Sequence, residues 1–362
     1  MLKETSVPRI NARSYMSLYE ENPSHNKDLI TFAKLDFNIL QKMHQNEAGG
    51  NTKWLRELDI HRNVPYPRDC ATEAYFWSLL VIAEPKYSIQ RTILAKLIIC
   101  IAILDDTYDN YATIQELDLF TQAIHRWDIG LIESLPECMK VVFNVVVKLC
   151  DEIELETAKN RKSSLVIQYV KQAFFNFVEG YMVEAKWCHE NYVPTYDEYK
   201  INGIETSTCP LEMTVLIALG EFATKDMFDW IFNYPKVLKA ASLIARLRDD
   251  LGTHKFEQQS REHIASAVEC CTKQYDVSQE DAYKLIQNEI EGYWKDINEA
   301  CLINSDGIPN HVLDLILGLA RASEFTYSNL KDDMVGSFED KFSNGQLTKD
   351  YVVALLLDPI VP

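Results

Sequence analysis

One stretch constrains the fold more than any other. Residues 95–104 read AKLIICIAIL and run straight into Asp105-Asp106-Thr107-Tyr108-Asp109. A helix that is apolar around most of its circumference has to be buried, so this segment predicts an interior helix wrapped by others. Three carboxylates continuing such a helix are costly. Unpaired buried charge costs several kcal/mol per ion, and a helix C-terminus disfavours anions. Asp105 and Asp109 stand about one turn apart on one face, with Asp106 flanking them. Divalent cations relieve both costs, and hard carboxylate oxygens suit Mg2+. For this cluster alone, a solvated acidic helix end is the plainer alternative.

A second cluster has the same form. Residues 240–247 are mostly apolar, interrupted by Arg246, and lead into Arg248-Asp249-Asp250-Leu251-Gly252-Thr253-His254-Lys255-Phe256-Glu257. Asp249, Thr253 and Glu257 recur every fourth residue. Carboxylate, hydroxyl and carboxylate therefore stack along one helix face. A salt-bridged surface would place Lys or Arg in the middle of that row. Two chelating rows at the ends of two buried helices predict metal ions held between facing helices. Mg2+ takes only one or two protein carboxylates and completes its shell with water and phosphate, so the pattern predicts a phosphorylated ligand. Arg246, one turn before Asp249, and Arg68 are the guanidinium candidates for gripping it.

The rest of the chain reads as all-α. Leu29, Phe32, Ala33, Phe37, Leu40 and Met43 keep helical spacing over 26–45. Further helices are expected over 66–83, 87–111, 113–126, 135–159, 163–192, 210–222, 235–254, 261–274, 278–302, 308–330 and 347–357. With only 12 Gly and 12 Pro in 362 residues, few breakers punctuate these runs. No strand alternation, fixed-period repeat or low-complexity linker divides them, so residues 1–362 read as one domain. Two breaks stand out. Thr206-Ser207-Thr208-Cys209-Pro210 is either an ordinary turn or a helix break whose freed carbonyls face a cavity. Asp332-Asp333-Met334-Val335-Gly336 is a polar loop before the last helix.

Charge and cysteine usage bound the partners. A formal net charge of −18 repels nucleic acid and anionic lipid. An anionic substrate would then need bound cations or clustered Arg to invert the local field. The nine cysteines are odd in number and contain no CxxC, which reads as reduced core thiols. The first 19 residues lack the apolar core of a signal peptide, and no charge-free apolar run reaches the roughly 18 residues of a membrane span. The expectation is a cytoplasmic monomer.

Taken together, the motifs resemble the plant terpene synthase family, in particular its class I catalytic α domain. The resemblance runs along nearly the whole chain. It rests on Ala33-Lys34-Leu35-Asp36-Phe37-Asn38, on Glu73-Ala74-Tyr75-Phe76-Trp77 with Glu84-Pro85-Lys86-Tyr87-Ser88, on the DDxxD motif at Asp105, and on the (N/D)Dxx(S/T)xxxE motif from Asp249 to Glu257. It implies a helical bundle around a central cavity and three Mg2+ ions, with Mn2+ as a substitute. Asp105, Asp106 and Asp109 would bind metal on one wall, and Asp249, Thr253 and Glu257 on the facing wall. Arg68 and Arg246 would hold the diphosphate. Trp77, with Tyr327 nearby, would stack on a carbocation. Thr206, Ser207 and Thr208 would turn carbonyls toward it, and Asp332 would sit on a closing loop.

The implied reaction is ionisation of a prenyl diphosphate, loss of diphosphate and cyclisation to a sesquiterpene. Farnesyl diphosphate is favoured because neither a plastid-type leader nor the tandem-Arg motif of many monoterpene members is present. The family's usual N-terminal helical domain is also expected to be absent. The sequence departs from the pattern in places. Arg68-Asp69-Cys70 stands where the family shows Arg-x-Arg, Cys209 where a pocket aromatic is common, Met334 where a Tyr often follows the loop acid, and the segment after Glu257 runs one residue longer. A chain-lengthening prenyl transferase is one alternative, but its second motif would be another DDxxD. A catalytically impaired helical relative is the other, and retention of both metal rows weighs against it.

Overall fold

The chain is built from stacked helices in a computed structural model that describes residues 7–66, 70–159, 163–260, 265–328 and 346–362, with no strand among them. The first half comprises α1 (Pro8–Glu20), α2 (Lys27–Glu57), α3 (Ile60–Asn63), α4 (Ala71–Val81), α5 (Ser88–Asp106), α6 (Ile114–Arg126) and α7 (Glu137–Ala158). The second comprises α8 (Ser163–His189), α9 (Tyr196–Thr206), α10 (Cys209–Ala218), α11 (Lys225–Phe232), α12 (Lys236–Ser260), α13 (Ala267–Tyr275), α14 (Gln279–Ile303), α15 (Asn310–Ser328) and α16 (Gln346–Leu356).

The interior helix expected from the apolar run is α5. The segment Pro85–Asp109 is long and apolar enough to cross a membrane by length and composition. In the fold, α2, α4, α7 and α10 pack around α5, and Leu94, Ala95, Leu97 and Leu104 are fully buried. Its one fully buried cation, Arg91, is matched by a carboxylate from α2. Arg91 Nε and Nη2 donate to the two oxygens of Glu47, each at 2.8 Å, and Nη1 donates to the carbonyls of Ile82 and Glu84. Tyr75 and Ser88 hydroxyls also donate to Glu47. This closed network fixes α2, α4 and α5 at one end of the bundle and leaves no oxygen of Glu47 without a donor.

Several boundaries differ from those expected. α2 continues to Glu57 through Gly49 and Gly50, because packing on α4 and α5 outweighs the roughly 1 kcal/mol that each glycine costs a helix. α1, α3, α9 and α11 were not expected: the first three are rich in polar residues, and α11 is only eight residues long. α4 starts at Ala71 and α13 at Ala267, both later than their patterns suggest. Reciprocal Thr113–Glu116, Thr195–Glu198 and Ser266–Glu269 capping boxes start α6, α9 and α13. α12 runs on to Ser260, so the backbone of Asp249, Thr253 and Glu257 lies on one continuous helix.

Two glycines set the approach of helices that matter below. A Cβ on Gly318 would lie 2.5 Å from the Val81 carbonyl oxygen, so α15 touches α4 backbone to backbone. A Cβ on Gly203 would lie 3.2 Å from Arg246 Cγ, which brings α9 against α12.

Candidate active site

α4, α5, α8, α10, α12 and α15 enclose a cavity of about 1190 Å³, counted to its open mouth. Its lower wall is apolar, with Ile98, Ile101 and Ala102 from α5 and Ala245 from α12. Asp105 and Asp109 line it on one side and Asp249 on the other. Trp77 and Tyr327 line it between α4 and α15, their rings 6.3 Å apart and edge to face.

The end of α5 explains how two acids reach the cavity. Beyond Asp106 the helix widens into a π turn, Thr107–Tyr111, in which Ala112 N donates to the Thr107 carbonyl at 3.3 Å. Such turns concentrate at functional sites. Buried partners anchor this one on its inner side: Thr107 Oγ1 donates to the Ile103 carbonyl at 2.7 Å, and Tyr108 Oη meets Thr121 Oγ1 at 2.7 Å. Tyr181 from α8 donates its hydroxyl to Asp105 Oδ1 at 2.8 Å.

The charges are arranged around one guanidinium. Arg246 Nε donates to Tyr199 Oη at 2.7 Å and lies 3.2 Å from Asp250 Oδ1, while Nη1 is 3.8 Å from Glu184 Oε2. Burial disfavours its charge, but Tyr199, Asp250, Glu184 and Asp249 outweigh burial and hold it firmly cationic. Arg248 faces elsewhere. Its guanidinium pairs with both oxygens of Glu324 on α15, at 2.8 Å each. Burial raises the Tyr327 phenol well above its usual pKa, and the charges of Asp249 and Asp105 add to this. The phenol therefore remains a neutral O–H donor on the cavity wall.

The break between α9 and α10 forms a further wall. Thr206, Ser207 and Thr208 all line the cavity. Thr208 sits at φ 72°, a left-handed conformation unusual for a β-branched residue. Pro210 has no N–H to give to the Thr206 carbonyl four residues back. Glu184 steadies the break by accepting from Thr206 Oγ1 at 2.8 Å and Asn202 Nδ2 at 3.1 Å. Strain held by its surroundings is common where backbone meets a ligand.

With this geometry in place, the chain can be compared with known proteins. Residues 56–296 match the model of the terpene synthase family, metal binding domain.

The chain belongs to the terpene synthase family.

A probable sesquiterpene synthase of Santalum murrayanum is 41% identical over 357 residues, covering 98% of this chain and 61% of that protein. The (-)-germacrene D synthase of Vitis vinifera is 42% identical over 356 residues, covering 98% of this chain and 62% of that protein. The chain thus spans about three-fifths of the length of these curated relatives. Among solved structures, isoprene synthase from grey poplar, in complex with three Mg2+ ions and dimethylallyl-S-thiolodiphosphate, superposes with a TM-score of 0.89 at 28% identity, covering 98% of this chain and 66% of that one. Limonene synthase with 2-fluorolinalyl diphosphate superposes with a TM-score of 0.90 at 27% identity, covering 99% and 64%.

Nine of the residues expected in a terpene synthase site line this one cavity: Trp77, Asp105, Asp109, Thr206, Ser207, Thr208, Arg246, Asp249 and Tyr327. Others stand off it. Asp106 is buried but lies outside the lining, as its turn of about 100° from Asp105 requires. Thr253 is buried, and its hydroxyl donates back to the Asp249 carbonyl at 3.0 Å. Cys209 is buried behind the break. Glu257 is in α12, but its side chain falls outside the described residues, as do Arg68 and Asp332. Among the described residues no three His, Cys, Asp or Glu side chains converge on one ion. A set of one or two carboxylates per ion fits Mg2+, which keeps waters and substrate phosphate in its shell.

Glu73, Cys70, Tyr181, Glu184 and Glu212 also line the cavity and were not expected there. Tyr181 and Glu184 carry no distinguishing mark on a long amphipathic helix. Glu212 does: it is the only charged residue in CPLEMTVLIA, the same kind of signal that exposed Asp105.

Proposed function

We propose that this chain is a class I terpene cyclase that ionises a prenyl diphosphate, farnesyl diphosphate foremost, expels diphosphate and cyclises the cation to a sesquiterpene. One observation carries the reading: Asp105 and Asp109 on one helix and Asp249 on another open onto the same cavity, above an apolar and aromatic wall. The names of the Santalum relative, a probable sesquiterpene synthase, and of the Vitis relative, a (-)-germacrene D synthase, support it.

In this reading Asp105 and Asp109, with Asp106, hold Mg2+ on one side, and Asp249, Thr253 and Glu257 hold it on the other. When bound, the metal supplies positive charge to the departing diphosphate; three ions are expected, as in the poplar enzyme's complex, and Mn2+ can substitute. Arg246 donates to the diphosphate oxygens as the allylic C–O bond breaks and its electron pair leaves with oxygen. Arg68 joins it, and Asp332 lies on the loop that closes the mouth. Ile98, Ile101, Ala102 and Ala245 offer no nucleophile and exclude water, which would quench the cation. The faces of Trp77 and Tyr327 stabilise it, each by roughly 0.5–2 kcal/mol. Carbonyls freed at the break beside Thr206, Ser207 and Thr208 add negative dipole ends. Residues 1–362 act as one catalytic α domain working as a monomer, and the buried thiols Cys100, Cys150, Cys209, Cys270 and Cys271 suit a reducing cytoplasm.

The test is to incubate purified protein with C10, C15 and C20 diphosphates and Mg2+, measuring diphosphate release and volatile products. Release of diphosphate with a cyclic C15 hydrocarbon is expected. A longer diphosphate, made when isopentenyl diphosphate is supplied, would indicate a prenyl transferase instead. No release from any substrate would remove the catalytic reading.

A further inference from the structure

A carboxyl group stands in the cavity away from both metal rows. Glu212 lies in the first turn of α10, is 2% exposed, and lines the cavity beside the helix break. Its Oε1 accepts from Thr208 Oγ1 at 2.7 Å. Among the described residues its Oε2 is buried and makes no hydrogen bond of ordinary geometry, nor does the Trp77 indole Nε1, which is still near enough to favour the carboxylate. Buried polar atoms of this kind call for an explanation. A structural acid in a helix as apolar as α10 would be expected to have both oxygens satisfied, as Glu47 does. Glu212 has one oxygen held by Thr208 and the other without a well-formed hydrogen bond, facing no donor better placed than Trp77.

Its surroundings fit a role in proton transfer. The N-terminal end of α10 favours a carboxylate. Burial opposes the charge, while Thr208 and then Trp77 partly restore it, and the outcome is a pKa raised to about 7. That is where a group that both accepts and returns protons at neutral pH works best. Among the described residues, the titratable groups that sense Glu212 are the buried Cys209 and the cavity-lining Tyr327. Both stay protonated at neutral pH, because burial raises each of them. Neither competes with it as a base.

We infer that Glu212 is the base that ends the reaction, taking a proton from the carbon beside the terminal cationic centre through Oε2, the oxygen that Thr208 does not hold. The C–H bond breaks, and its electron pair becomes the new C=C bond. The cationic charge is discharged, and Glu212 is left as a neutral acid. It returns the proton to solvent when the hydrocarbon leaves. Thr208 is the positioning residue: its hydroxyl orients Oε1, and its left-handed backbone turns the start of α10 toward the cavity. This inference rests on the cyclase reading.

The experiment separates the two. Wild type, Glu212→Gln and Glu212→Asp are incubated with farnesyl diphosphate and Mg2+, and diphosphate release and hydrocarbon identity are measured in parallel. Glu212→Gln is expected to lower the main wild-type olefin at least 10-fold while diphosphate release falls less than threefold, with the cation emerging as isomeric olefins or an alcohol. Glu212→Asp is expected to restore part of the wild-type olefin. An unchanged product mixture from Glu212→Gln would overturn the assignment. So would an equal loss of olefin and diphosphate release, which marks a purely structural role. Absence of diphosphate release from wild type would instead overturn the cyclase reading beneath it.

Discussion

The hydroxyl of Tyr181 donates to Asp105 Oδ1 at 2.8 Å and ties α8 to the acidic end of α5. Burial holds the phenol neutral, and the charges of Asp105 and Asp109 reinforce this, so the bond has a fixed direction. It leaves Asp105 oriented before any ligand arrives. Asp105→Ala is expected to cut turnover at least 100-fold while the thermal melt stays within a few degrees, since the residue faces a cavity and not the core. Diphosphate release and circular dichroism on the same preparation check this, and unchanged product formation would exclude Asp105 from the mechanism. Tyr181→Phe should keep most turnover and raise the Mg2+ concentration needed for half-maximal rate.

Arg246 carries a second expectation. Its guanidinium faces Asp250, Glu184 and Tyr199 together. Removing one partner of a buried ion pair costs about 3–5 kcal/mol. Arg246→Gln should therefore lower both the urea midpoint and turnover, and Arg246→Lys should recover stability more than turnover, because Lys cannot offer the planar fork. Equal recovery of both would count against a role in gripping diphosphate.

The Arg91–Glu47 network lies away from the cavity and should behave oppositely. Glu47→Ala leaves Arg91 buried without its carboxylate and is expected to cost about 3–5 kcal/mol in urea unfolding. The rate per folded molecule should hardly change. A large fall in that rate at low temperature, with the protein folded, would contradict the separation.

Two buried groups give opposite pH dependences. Glu212 has a folded pKa raised to about 7 from the usual 4.5. The stability it lends is complete below about 4.5 and is lost as pH rises through 7. The effect is on the order of 3 kcal/mol. Glu212→Gln should be more stable than wild type at pH 8 and lose that advantage at pH 5. His44 has a folded pKa lowered to about 4 from 6.5, chiefly by burial. Its contribution is present above 6.5 and is lost as pH falls toward 4. Urea midpoints of wild type and Glu212→Gln from pH 4 to 8 read both; parallel curves would refute the Glu212 linkage.

Gly318 tests whether helix spacing tunes the pocket. A methyl group there would lie 2.5 Å from the Val81 carbonyl oxygen, so Gly318→Ala must move α15 from α4. Overpacking of this sort costs about 1–3 kcal/mol. The shift passes to the Trp77–Tyr327 pair, and the product ratio should change along with stability. An unaltered ratio would show that the two rings keep their positions independently of this contact.

The sequence by itself determined much of this. An apolar run ending in acids has few low-cost placements, so the interior position of α5 and the approach of Asp105 and Asp109 to a cavity were readable from local pattern. The opening of Asp249 onto the same cavity was readable for the same reason, as was the interruption at Thr208 and Pro210, where chain chemistry breaks a helix whatever surrounds it. Tertiary structure decided the rest. Only the packing of α8 against the π turn that follows α5 brings Tyr181 to Asp105, and only that of α9 against α12 sets Tyr199 by Arg246. Periodicity alone turns Asp106 about 100° from Asp105, but where the Thr253 hydroxyl points depends on its bond back onto its own helix. Whether a lone acid such as Glu212 meets a partner or a void depends on residues distant along the chain, because burial and hydrogen bonding are properties of neighbours in space.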